Sequence, residues 1–128
     1  MACTEACWCD SGKSAGACCA PILAGKVQAA SAEALMRSRY SAFVNGNVDY
    51  LRRSWHPATC PATIHLDPQQ RWLGLKVTDV EGGGEADSDA EVAFVARYKI
   101  SGRGHRLEER SSFTRLGDRW VYVGRVVA

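Results

Sequence analysis

Apolar residues recur at two different periods along the chain, and the change of period divides it into a helical part and a strand-rich part. Over residues 31–44 the apolar positions follow one another every three or four residues, which is typical of a helix with one buried face. Ser31 can cap the start of this helix, and an Asn-Gly pair ends it. A second helix is predicted over 47–55, and Pro57 closes it because proline disfavours helical backbone just before itself. A single helical turn is predicted over 21–24.

From Arg71 onward, apolar and polar residues alternate, which is typical of strands with one buried face. Polar or glycine-rich turns divide this part into predicted strands over 71–80, 91–100, 105–116 and 119–128. In the second strand, the alternation places five residues on one face: Val92, Phe94, Ala96, Tyr98 and Ile100. Arg97 falls on the opposite face. Helices followed by a meander predict the α+β class, with helices packed on one face of a curved antiparallel sheet of about four strands.

Composition and charge restrict the class of protein. The 128 residues are 46% hydrophobic and 23% charged, which is enough apolar material for one domain with its own core. The formal net charge of +2 gives no reason to expect an obligatory nucleic-acid or membrane partner. The first residues do not resemble a signal peptide, and no run approaches the roughly 18 apolar residues of a membrane span. A cytoplasmic location, where thiols stay reduced, is therefore predicted.

Five of the six cysteines lie in the first nineteen residues, and four of them fall in the stretch CWCDSGKSAGACC. Its Gly-Lys-Ser resembles the end of a phosphate-binding loop, but that motif requires glycine where Cys7 stands and a buried strand before the loop. A disulfide framework is also disfavoured, because the adjacent Cys18 and Cys19 would close a strained ring and the cytosol is reducing. Metal binding is the interpretation that fits this stretch best.

A metal site accounts for all four cysteines. Cys7 and Cys9 are one residue apart and can point to the same side of the backbone, and eight residues separate Cys9 from the pair Cys18 and Cys19. Structural zinc takes four such ligands in a tetrahedron. Lys13 is predicted to help offset the charge of the thiolates. We therefore expect one Zn²⁺ held by Cys7, Cys9, Cys18 and Cys19, with no open position and hence a structural role.

The spacing Cys-x-Cys-x8-Cys-Cys, with Ser-Gly-Lys inside it, resembles the SEC-C zinc motif. Further segments resemble the YchJ-like family of uncharacterised bacterial proteins: ALMRSRYSAFV (34–44), DYLRRSWHP (49–57), WLGL (72–75), EVAFVARY (91–98) and ERSSF (109–113). The resemblance implies a SEC-C zinc knuckle followed by a nuclear transport factor 2-like domain, in which helices wrap a curved sheet. On this basis we expect the motif to occupy 1–25 and the α+β domain 26–128.

The sequence departs from the resembled motif at three positions. Members of the family usually carry proline between the first two cysteines, glycine after the second and an aromatic residue at position 15. Trp8, Asp10 and Ala15 stand there instead. No ligand is lost, and Trp8 is predicted to replace the missing aromatic residue. Cys3 can compete as a ligand, and Cys60 is expected to be a small packed thiol.

Domains of the resembled family often enclose a pocket at the open end of the sheet. The candidates to line it are Trp55, His56, Arg97, Tyr98 and Glu109, with Arg39 and Trp72 in addition. Some of these residues can instead have purely structural roles. His56 can bond a free carbonyl at a helix end, and Arg97 can pair with Glu109 across neighbouring strands. The segment 37–39 can be a solvated face or form salt bridges to acidic groups such as Glu108.

Two main functions are compatible with the sequence. The first is non-enzymatic: the zinc knuckle docks another protein, in export or ribosome-associated work as the SEC-C resemblance implies. The second is a small-molecule-binding or catalytic α+β domain that zinc only stabilises. Redox sensing through zinc release is a third possibility. No catalytic residue is predicted, and the short basic clusters at 52–53 and 103–106 do not predict nucleic-acid binding.

Overall fold

The computed structural model describes residues 5–84 and 86–126, and it follows the predicted order of helices and then strands. A 3-10 turn at Ala15–Ala17 precedes the helices α1 (Cys19–Leu23), α2 (Ala32–Asn45) and α3 (Val48–Arg53). The strands are β1 (Gln70–Gly82), β2 (Asp89–Ile100), β3 (Arg103–Leu116) and β4 (Arg119–Arg125). The predicted α+β class is confirmed. Positions 127 and 128 of the last predicted strand lie outside the described residues.

The long helix α2 has the ends that its sequence predicts. The Ser31 hydroxyl accepts a hydrogen bond from the Ala34 N–H at 3.1 Å, which satisfies one of the free donors of the first turn. Gly46 follows the helix at a φ of 68°, the left-handed conformation that commonly ends helices. One face of α2 is buried, and it packs on the sheet.

The second helix is shorter than predicted. Asn47 caps α3 by accepting a hydrogen bond from the Tyr50 N–H at 3.0 Å, and the helix ends at Arg53. Trp55, predicted to be helical, forms a parallel bridge to Tyr122 of β4 instead. The Tyr122 N–H donates to the Ser54 carbonyl at 2.8 Å, and the His56 N–H donates to the Tyr122 carbonyl at 2.7 Å. Pairing with the edge strand therefore replaces the last helical turn.

The sheet is an antiparallel meander of order β1-β2-β3-β4. In its register, Ala96 lies opposite Leu75 on one side and Leu107 on the other. Two irregularities interrupt β1, between residues 72 and 74 and between 77 and 79, and such bulges bend a strand and increase its twist. The sheet curves over α2, which contacts β1, β2 and β4.

The cysteine loop, which we define as residues 5–19, is part of the same core as the sheet. Cys7, Cys9 and Cys19 belong to one hydrophobic cluster with buried residues of α2 and of the strands. Trp8 is partly buried and packs against this cluster. Within the described ranges, the helices are too short or too polar to cross a membrane.

Candidate metal centre

The sulfur atoms of Cys7, Cys9, Cys18 and Cys19 all lie within 4.8 Å of one another. The Sγ atoms of Cys9 and Cys18 are 3.6 Å apart, and those of Cys18 and Cys19 are 3.8 Å apart. A tetrahedron with metal–sulfur distances of about 2.3 Å has edges of about 3.8 Å, so the spacing suits a shared ion. A disulfide would need about 2.0 Å, and these four thiols are free.

A short backbone ladder brings the two cysteine pairs together. Ala6 and Ser14 form an antiparallel bridge, the Cys7 N–H donates to the Lys13 carbonyl at 2.9 Å, and the Ala15 N–H donates to the Glu5 carbonyl at 2.8 Å. The chain reverses between them through left-handed residues, Asp10 at a φ of 59° and Gly12 at 87°. The 3-10 turn that follows then presents the second pair at the start of α1.

Most of the sulfur cluster is buried. Cys7, Cys9 and Cys19 are 4%, 0% and 1% exposed, while Cys18 is half-buried at the solvent side. The Ser11 hydroxyl lies 3.2 Å from the Cys18 sulfur and orients it. Four sulfurs arranged in this way leave no open coordination position, so the centre suits a structural ion. The predicted competitor Cys3 lies outside the described residues.

Ionisation of the bare thiols shows why a cation fits this donor set. Hydrogen bonding from Cys19 lowers the pKa of Cys9 to about 4, against the opposing effect of burial. The same bond to Cys9, together with burial, raises the pKa of the Cys19 thiol, and burial raises the pKa of Cys18. One thiolate is therefore stabilised and further ones are opposed, chiefly because burial and the hydrogen bond to Cys9 favour the neutral form of the other thiols, with repulsion from the Cys9 charge as a smaller cause. A divalent cation supplies the compensating charge that four thiolates require.

The cation beside the cluster is Arg37 of α2. Its Nη1 donates to the Cys9 carbonyl at 2.9 Å and lies 4.0 Å from the Cys9 sulfur, while its Nε pairs with Glu33 at 2.9 Å. Charge compensation was predicted for Lys13, whose side chain is exposed and makes no hydrogen bond to a described residue. Glu33 and Arg37 stand at i and i+4 on one helix. In the sequence, that spacing indicates an arginine that is held in place by an ion pair.

The pocket candidates are divided between two faces of the sheet. A cavity of about 170 Å³ lies between α2 and the sheet, and Glu109, Arg39 and Trp72 line it. Tyr98 packs on Trp72 with ring centroids 5.2 Å apart, and Trp55 packs at the same distance on Tyr122, which lines the cavity. These residues therefore lie at or next to the cavity.

Arg97 and His56 lie away from the cavity. Arg97 is exposed on the outer face and stands opposite Arg106, whereas Glu109 stands opposite Phe94, so the suggested pairing of Arg97 with Glu109 is wrong. Consecutive strand residues point to opposite faces, so Arg97 and Tyr98 could not both line one pocket. The imidazole of His56 accepts from the Ala58 N–H at 3.0 Å and bonds no helix carbonyl among the residues that the structure describes.

The suggested solvated face at 37–39 is also wrong. Arg39 is only 6% exposed and donates to the Leu51 carbonyl at 2.8 Å and to the Ser54 hydroxyl at 2.7 Å. The predicted salt bridge of this segment to an acidic group is confirmed, but its partner is Glu33, which pairs with Arg37 at 2.9 Å, whereas Glu108 pairs with Arg106 at 2.7 Å.

Related sequences share most of this chain. The family model described as the YchJ middle NTF2-like domain matches residues 31–124. A UPF0225 protein of Cupriavidus pinatubonensis is 50% identical over 123 residues, covering 91% of this chain and 85% of the relative. A UPF0225 protein of Ralstonia nicotianae is 48% identical over 133 residues, covering 94% of this chain and 90% of the relative.

Two solved structures share the fold over nearly the whole of this chain. The solution structure of a SEC-C motif containing protein from Rhodopseudomonas palustris has a TM-score of 0.81 at 31% identity, covering 100% of this chain and 99% of that chain. The crystal structure of a SEC-C motif containing protein from Psychrobacter arcticus has a TM-score of 0.72 at 26% identity, covering 99% and 81%. The chain therefore belongs to the YchJ-like, UPF0225 family, whose solved neighbours carry the SEC-C motif.

Proposed function

We propose that this protein holds one structural Zn²⁺ at Cys7, Cys9, Cys18 and Cys19, and that the loop closed by this ion docks another protein in the cytoplasm. The observation that carries the proposal is the largely buried cluster of four sulfurs that lie within 4.8 Å of one another. A tetrahedral set of four thiolates selects zinc or iron among the common metals. Zinc is the ion we propose, because the solved neighbours are described as SEC-C motif proteins and that motif binds zinc.

The position of the cluster favours docking over catalysis. A closed set of ligands offers no site for a substrate or a water nucleophile. The inner side of the loop, with Cys7, Cys9 and Cys19, faces the core. Its exposed residues include the small residues Gly12, Gly16 and Ala17 beside the charged residues Glu5, Asp10 and Lys13. Small exposed residues on a rigid support allow the backbone of a partner to approach closely. We further propose that the loop and α1, up to about residue 25, can open as a unit separate from the α+β domain, although their buried cysteines pack in the same core as the sheet.

Metal content and partner capture can be measured on the same set of variants. Native mass spectrometry of the wild-type protein should give one zinc per chain, and Cys18→Ser should lose it. Ala17→Glu places a charge on the outer side of the loop, whereas Ala62→Glu makes the same change at an exposed residue of the segment between α3 and β1. In pull-downs we expect Ala17→Glu to retain zinc and lose the partner, and Ala62→Glu to retain both.

The two halves of the proposal can fail separately. Zinc well below one equivalent in protein prepared without chelators would contradict the metal site. Identical partner lists for the wild-type protein and Cys18→Ser, with zinc present in the former and absent from the latter, would contradict docking through the loop. Loss of the partner in Ala62→Glu as well would assign docking to another surface.

A further inference from the structure

The cavity between α2 and the sheet has apolar walls and a polar end. Its walls are formed by Met36, Phe43, Trp72, Phe94, Leu107 and Phe113. Arg39, Glu109 and Ser111 line the cavity as well, Ser111 donates to Glu109, and the Arg39 guanidinium lies over the lining ring of Tyr122; we call these three residues the polar end. Its volume of about 170 Å³ is close to the roughly 150 Å³ of a cavity known to hold one benzene ring. The cavity can therefore take a ligand of about one ring in size.

Arg39 is a buried cation fixed in place at this end. Both of its described hydrogen bonds leave from Nη1, to the Leu51 carbonyl and the Ser54 hydroxyl. Its guanidinium lies over the rings of Trp55 and Tyr122, at 4.8 Å and 4.4 Å from their centroids. No carboxylate of a described residue forms an ion pair with it. The guanidinium therefore still has donors to offer to a ligand in the cavity.

Glu109 supplies the complementary acceptor. One carboxylate oxygen, Oε2, accepts from the Ser111 hydroxyl at 2.6 Å, which orients the group. A carboxylate has room for further hydrogen bonds at both oxygens. Glu109 and Arg39 line the same cavity without a direct ion pair between them, so a donor and an acceptor are both available to one small molecule.

We propose that the cavity binds a small neutral apolar molecule that carries one hydroxyl group, with the ring among the aromatic walls and the hydroxyl at the polar end. A hydroxyl can accept from Arg39 and donate to Glu109 at once. A carboxylate ligand would face the negative charge of Glu109, and an amine would face Arg39. A pure hydrocarbon would displace water from both charged groups without replacing its hydrogen bonds.

Phenol, toluene and benzoate test this assignment because they share one ring and differ in the polar group. We would titrate each into the ¹⁵N-labelled, zinc-loaded full-length chain and follow amide shifts. Phenol should shift residues around Arg39, Phe94 and Glu109 in a saturable way, and toluene and benzoate should bind at least tenfold more weakly. No localised shifts with phenol, or equal affinity for phenol and toluene, would overturn the proposal.

A conservative substitution identifies the acceptor. Glu109→Gln keeps the shape of the side chain and removes its charge, so phenol affinity should fall several-fold and benzoate affinity should rise. Glu108→Gln makes the same change at the adjacent, exposed carboxylate on the outer face and should alter neither. Unchanged phenol and benzoate affinities in a folded Glu109→Gln variant would overturn the role of Glu109. The readout is independent of the partner proposed for the cysteine loop.

Discussion

The carboxylate of Asp10 accepts a hydrogen bond from the backbone N–H of Leu75 at 3.0 Å, which fastens the cysteine loop to β1. Leu75 follows the irregularity between residues 72 and 74 in β1. Asp10 has a φ of 59°, in the left-handed region that favours glycine, and the resembled motif carries glycine at this position. The aspartate therefore combines an unfavourable backbone conformation with a contact that glycine could not make.

Substitutions at Asp10 should separate the strain from the hydrogen bond. Asp10→Ala keeps the strain and loses the bond, and we expect it to lower the free energy of unfolding by about 1–2 kcal/mol. Asp10→Asn should cost least, since asparagine tolerates a left-handed backbone and keeps an acceptor oxygen. Asp10→Gly should fall between them, because relief of strain offsets part of the loss. Urea denaturation of zinc-loaded protein measures the order, and Asp10→Ala at or above wild-type stability would contradict this account.

Gly74 provides an independent check on the same contact. A Cβ placed on Gly74 would lie 3.0 Å from Oδ2 of Asp10, so Gly74→Ala should push the carboxylate away from the Leu75 N–H. The two substitutions should then be non-additive: once Asp10 is alanine, Gly74→Ala should cost less than it does in the wild-type protein. Additive costs in the double-mutant cycle would show that the two residues act separately.

Removal of the metal should release the cysteine loop before the sheet. Without an ion, the loop loses the cross-link between its two cysteine pairs and the conformation that presents Asp10 to Leu75. We expect a chelator to accelerate hydrogen exchange of the Leu75 amide, while amides of the central strand β2 remain protected. NMR-detected exchange measures both. Equal acceleration in β2 would show that the ion holds the whole fold together and would contradict the division near residue 25.

Arg37 should influence metal affinity more than Lys13 does. Arg37 holds the Cys9 carbonyl and lies near the Cys9 sulfur, and loss of such outer contacts typically lowers metal affinity 10–100-fold. Arg37→Gln should therefore weaken zinc binding at least about tenfold in competition with a chromophoric chelator. Lys13→Gln removes the same charge from an exposed side chain and serves as the matched control.

Glu33 separates the two contacts of Arg37. Glu33→Gln removes the ion pair on α2 but leaves Arg37 able to reach Cys9, so it should weaken zinc binding less than Arg37→Gln does. If Lys13→Gln weakened zinc binding as much as Arg37→Gln, net charge and not position would control affinity.

The sequence predicted those features that depend on neighbours along the chain. The cap at Ser31, the end of α2 at Gly46 and the alternation of the strands are of this kind, and so is the set of four cysteines. The i,i+4 spacing of Glu33 and Arg37 indicates their ion pair, but the long-range contacts of Arg37 and Arg39 were not predictable, although the two arginines are only two positions apart. One reaches Cys9, 28 residues away, and the other reaches Leu51 and Ser54. Such contacts depend on how α2 is packed, which its own periodicity does not specify.

The outer face of the sheet carries a pair of like charges whose removal should increase stability. Arg97 and Arg106 stand directly opposite each other on β2 and β3, and both are exposed. Like charges in this relationship are destabilising, whereas opposite charges stabilise by a few tenths of a kcal/mol to about 1 kcal/mol. Arg97→Glu should therefore raise the free energy of unfolding by about 0.5 kcal/mol at low salt, since Glu108 already satisfies part of Arg106.

Salt and a neutral variant distinguish this electrostatic effect from a change in packing. Arg97→Gln removes the repulsion without adding an attraction, so its stability should fall between those of wild type and Arg97→Glu. The differences should shrink in about 1 M NaCl, where the screening length falls to about 3 Å. Urea denaturation of the three proteins at both salt concentrations measures this. If Arg97→Glu were less stable than the wild-type protein at low salt, the prediction would be contradicted. That result would show that the two guanidinium groups turn away from each other, or that Arg97 stabilises the fold through its aliphatic stem.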